Sequence, residues 1–76
     1  MNKSSKHPIN PAKLLMSKWT AIYPINKEKH FLITKIIQTD DNLITSCIME
    51  AVLTHRESLI DWRDLQDKSG WLPGWH

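Results

Sequence analysis

The sequence predicts a mainly β protein: a small curled antiparallel sheet of about four strands, SH3-like or a partly open barrel, with short helical turns at both ends. Three observations predict it. Residues 43–54, LITSCIMEAVLT, set Leu43, Cys47, Met49, Ala51 and Leu53 on one face with a mixed face between them, the period-two pattern of a half-buried strand. Residues 29–39, KHFLITKIIQT, are rich in β-branched and aromatic types, which fit a pleated surface. Asp40-Asp41-Asn42 separates the two runs with the turn chemistry of a hairpin.

The remaining elements follow in order. Residues 1–8 are polar and basic and end in Pro8, which predicts a disordered tail ahead of a single domain over 9–76. Asn10 followed by Pro11 has the order of an N-cap and first helical residue, and one or two turns through Met16 would turn Leu14 and Leu15 inward. A brief strand over 18–22 stops at Tyr23-Pro24, and a polar loop over 26–28 leads into the second strand. After the third strand His55-Arg56 makes a turn, and residues 57–61 form the last strand. Asp61 then caps a helical turn that puts Trp62 and Leu65 on one face, with Gly70 beyond its end. In the terminal SGWLPGWH, Leu72-Pro73-Gly74-Trp75 fits a type II turn, an apolar clip that either closes the core or presents indole to a partner.

A chain of 76 residues makes one small domain, and Cys47, its only cysteine, excludes an intrachain disulfide. Four tryptophans, each able to bury about 150–250 Å², supply the core such a domain needs. The N-terminal MNKSSKHP has no apolar signal region, and no run approaches the ~18 apolar residues of a membrane span, so a soluble cytoplasmic protein without membrane contact is expected. The net charge of +2 hides an asymmetry: residues 1–35 carry seven lysines and one glutamate, a balance of +6, and residues 36–76 a balance of −4. Folded side by side, the halves give one basic edge able to attract phosphate.

Little points to catalysis. The four histidines and Cys47 are widely spaced and lack the local pairs of a metal site. Cys47 falls on the apolar face of a strand, where a cysteine acts as a small hydrophobe. Asp61, Asp64 and Asp67 make a solvated acidic face, and two glycines cannot build a phosphate loop. No enzyme activity, cofactor or metal is therefore predicted.

What remains is aromatic and basic interleaving. Lys18-Trp19, Lys29 beside His30-Phe31, Arg56, Trp62-Arg63 and the terminal Trp71 and Trp75 make up a candidate binding surface. Small β domains use such rings as stacking platforms for single-stranded nucleic acid. The plainer reading of Trp19 and Trp62 is core, and of the cations solvated surface. A non-enzymatic binding module is predicted, with nucleic acid as a candidate partner; the alternative is a protein-interaction or homodimerisation domain that uses the C-terminal tryptophan clip.

INPAKLLMSKWTA, NKEKHF, CIMEAV, an arginine followed by IDWRDLQD, and a final tryptophan and GW resemble, in that order, a family of small tryptophan-rich bacterial proteins of uncharacterised function. The resemblance spans about residues 9–75 and implies a single compact domain in an intracellular bacterial setting. It implies no activity, substrate, cofactor or site residue.

Overall fold

The computed structural model describes residues 6–76. Five strands, β1 (Lys18–Ile25), β2 (Glu28–Gln38), β3 (Ile44–Ala51), β4 (Glu57–Asp61) and β5 (Trp71–Pro73), form one antiparallel sheet in the order β4-β3-β2-β1-β5. The mainly β class, the four-strand meander and the turns at both ends are as expected from the sequence. The fifth strand is additional, and the five form one open sheet in place of the curled SH3-like or partly open barrel expected. β5 pairs with β1, so β4 and β5 become opposite edges. The fold is a slab of 36 × 35 × 15 Å.

Cross-strand partners share a face, so the register divides the side chains cleanly. Trp19 faces Phe31 and Pro73, Ala21 faces Trp71, Ile33 faces Met49, and Cys47 faces Ile36 and Ile60. A register shift between Ile33 and Lys35 returns Ile36, not Lys35, to this side. We call it the covered face, because Leu14 and Leu65 pack onto it and complete the core. The opposite, open face carries Lys18, Thr20, His30, Leu32, Ile48 and Leu59.

Both covering segments are single 3-10 turns with side-chain caps. Asn10 accepts from the Ala12 amide at 3.0 Å ahead of Pro11–Lys13, and Asp61 accepts from the Arg63 amide at 2.9 Å ahead of Trp62–Gln66. The first turn is shorter than expected. Met16 takes a left-handed backbone (φ 66°) that redirects the chain into β1, so Leu14 is buried while Leu15 is exposed. The second turn buries Leu65 beside Trp62, since i and i+3 eclipse in a 3-10 helix. It closes at Asp67, and Gly70 takes no left-handed cap.

Strand ends also differ from expectation. β1 runs through Pro24 because Ile25 pairs with Glu28 on the β2 side, which leaves the proline nitrogen facing the other way, past the end of β5. The polar loop shrinks to Asn26-Lys27, both left-handed (φ 58° and 64°), the two-residue hairpin geometry. β3 stops at Ala51, so Leu43 and Leu53 are exposed in the flanking turns. Of the tail expected to be disordered, residues 1–5 lie outside the described residues. Lys6 bridges Asp67, and the His7 amide donates to the Gln66 carbonyl at 2.8 Å, so the described order begins ahead of Ile9.

Candidate nucleic-acid interface

The C-terminal clip divides its two indoles between the faces. Trp71, opposite Ala21, lies on the covered face and meets Phe31 edge to face, with centroids 5.3 Å apart at 80°. Gly74 then takes φ 83°, the value a type II turn asks of its third residue, and the chain crosses to the open face. The crossing is pinned at Thr20. Its hydroxyl donates to the Gly74 carbonyl at 2.6 Å and accepts from the His76 amide at 3.0 Å. His30 Nε2 reaches the His76 carbonyl at 2.8 Å.

These bonds set the Trp75 ring on the open face. Its Nε1–H donates to the Phe31 carbonyl at 2.9 Å, yet the residue keeps 43% of its surface exposed. Lys18 Nζ stands 4.8 Å from the ring centroid, a cation–π contact, and the His30 ring lies 6.1 Å away at 46°. Lys29 continues the patch, lining a shallow groove with His30, Lys27, Val52 and Leu53. An exposed cation–π pair is worth about 0.5–1 kcal/mol, weak enough for an arriving base and phosphate to share ring and ammonium in its place.

Of the eight residues singled out in the sequence, the structure brings Lys18 and Trp75 together, sets Lys29 in the groove that His30 also lines, and separates the rest. Trp19 is a core residue with its Nε1–H on Ser17 Oγ at 2.9 Å. Trp62 packs against the core and donates to the Ile44 carbonyl at 3.0 Å. Arg63 is held on Asp61, at 2.8 Å through Nη2, and its guanidinium holds the Asp61 carboxyl down at about 2. Arg56 and Trp71 belong to a groove on the covered face. His30 and Thr20 were missed. His30 stood in the noted Lys29-His30-Phe31 stretch, but nothing local shows that Thr20 would anchor a segment 54 residues away.

Cys47 is fully buried, and burial pushes its thiol up to about 11, the setting of a packing residue. Among the described residues no three histidine, cysteine or acidic side chains converge as metal ligands. Among the described residues no helix is long and apolar enough to cross a membrane.

Fold and site together define a small open-sheet domain with an anchored, half-exposed tryptophan beside lysine and histidine. A family model described as tryptophan-rich protein (DUF2389) matches residues 17–76, and the chain belongs to that family, whose function is unknown. The match begins at Ser17, so the INPAKLLM segment precedes it. No curated protein and no solved structure matches the chain.

Proposed function

We propose that this protein is a non-enzymatic binding module that takes single-stranded nucleic acid on its open face. The observation that carries the reading is Trp75, held by its own N–H yet 43% exposed, with Lys18 against the ring and His30 and Lys29 alongside. An anchored ring offers stacking at little entropic cost, and the cations supply phosphate contacts. A cytoplasmic bacterial setting accompanies this reading, in keeping with the single cysteine.

The test follows the amide and indole signals of labelled protein as a short oligothymidylate is added at low salt. Trp75 Nε1–H should shift together with the Lys18, Lys29 and His30 amides. Two phosphates neutralised by Lys18 and Lys29 give a slope of log K against log salt of about −1.4, and Lys18→Gln reduces it by about 0.7. Trp75→Ala should weaken binding about tenfold, the lower part of the range for one stacked base. An affinity indifferent to salt refutes the proposal. The other reading, association through the clip, draws on Leu72 and Trp75 sharing the open face with their surfaces exposed. Sedimentation at two concentrations tests it, and a strict monomer at the higher one refutes a homodimer.

A further inference from the structure

On the covered face, beyond the reach of the two 3-10 turns, lies a second site unrelated to the first. Ala21, Phe31 and Met49 line a groove of about 200 Å³ with Trp71, Tyr23, Ile25 and the polar trio Glu28, Arg56 and Ser58. Tyr23 and Ile25 are 78% and 74% exposed, large apolar surfaces at the mouth of the groove. Trp71 adds an indole whose N–H has no acceptor among the described residues, whereas the other three indoles are bonded.

The polar end is built asymmetrically. Glu28 is only 3% exposed and receives the Thr54 hydroxyl together with Arg56 Nε, at 3.1 Å, and Arg56 Nη2. The Arg56 side chain, in contrast, is 57% exposed. A visitor therefore meets the guanidinium, with the carboxylate hidden behind it. Arg56 Nη1 also donates to Ser58 Oγ at 3.2 Å, so among the described residues three of its five N–H groups are spent and two remain. A guanidinium held rigid by one carboxylate and still carrying free donors is preorganised for a second one.

We propose that this groove binds a small aromatic carboxylic acid, its ring against Trp71, Phe31 and Met49 and its carboxylate on the free N–H groups of Arg56. Size and charge narrow the class. A volume of about 200 Å³ falls below the ~300–1,000 Å³ of drug-sized pockets and suits a single ring. A phosphate dianion would lie close to the Glu28 carboxylate with only one cation to share, so a monoanion is favoured.

The probe pair is phenylacetate and its neutral analogue 2-phenylethanol, each titrated into labelled full-length protein. Phenylacetate should shift the Trp71 indole N–H and the Met49 and Ser58 amides saturably, and bind about tenfold tighter than the alcohol, as expected for a charge-assisted contact. Arg56→Lys, which keeps the charge and loses the fork, should remove most of that preference. The comparison of the two ligands on unsubstituted protein stands even if the variant folds poorly. Equal binding of acid and alcohol, or no shift in this groove, overturns the proposal. Trp75 lies on the opposite face, so its signals report separately on the nucleic-acid reading.

Discussion

At the scale of single residues, Glu28 shows how a charge survives burial. Hydrogen bonds from Arg56 and Thr54 favour its ionised form and outweigh desolvation, so its carboxyl lies below the usual value of 4.5. A carboxyl held lower in the folded than in the unfolded chain contributes stability above pH 4.5, and that contribution fades as pH falls through the folded value. Urea midpoints for the unsubstituted chain should therefore drop between pH 6 and pH 3, and Glu28→Gln, less stable at pH 6, should show a smaller drop. Equal drops for both proteins would mean that acid sensitivity resides elsewhere. The sequence marked Arg56 as a surface cation but offered no sign that it pairs with the buried Glu28. The two lie on different hairpins, and the β2–β3 register sets their approach.

At the scale of elements, the turns carry the strain. Gly74 is the one glycine with positive φ among the described residues, so the other such positions fall to Met16, Asn26, Lys27, Asn42 and His55. Asparagine tolerates this conformation, but lysine at the second place of a two-residue hairpin does not prefer it. Lys27→Gly should raise stability by about 0.5–1 kcal/mol, since relief of the left-handed cost exceeds the added freedom of the unfolded chain. The thermal midpoint should rise by a few degrees, and a fall would show that the lysine side chain supports the turn. Legibility follows the same division. β2, β3 and the capped turns were readable because alternation, β-branching and Asn-Pro order act locally. β5 was not, because three residues containing Pro73 make a strand only through pairing with β1. The open-face patch was half legible: Lys18 and Lys29 stood out, but Trp75 joins them through a chain crossing at Thr20 that no local pattern encodes.

At the scale of the whole molecule, one sheet of 76 residues covered on a single side has few side chains to spare. Leu65 is fully buried, the one side chain of its 3-10 turn that is, with Trp62 packed partly buried against the core beside it. Leu65→Ala should cost about 2–5 kcal/mol, a large share of a small domain's stability. Its melting midpoint should fall by at least about 10 °C, and a smaller change would mean that Trp62 collapses into the space. The charge asymmetry read from the sequence acts at this scale too, since the adjacent strands β1 and β2 carry Lys18, Lys29 and Lys35 and the next two, β3 and β4, carry Glu50 and Glu57, which divides the sheet into a basic and an acidic half.

The straddling clip has one more consequence. On the outer edge of β5 the Trp71 amide donates to the Asp67 carbonyl, the Trp71 carbonyl meets His7 Nε2 at 2.7 Å, and Pro73 has no N–H while its carbonyl meets His76 Nε2 at 2.7 Å, so an intruding segment finds little free backbone there. At the other margin, two copies of β4 paired antiparallel about Leu59 would set Glu57 against Asp61, acid against acid. An open sheet is a template for filaments, and this one is stoppered at one rim by backbone groups already engaged and at the other by repulsion.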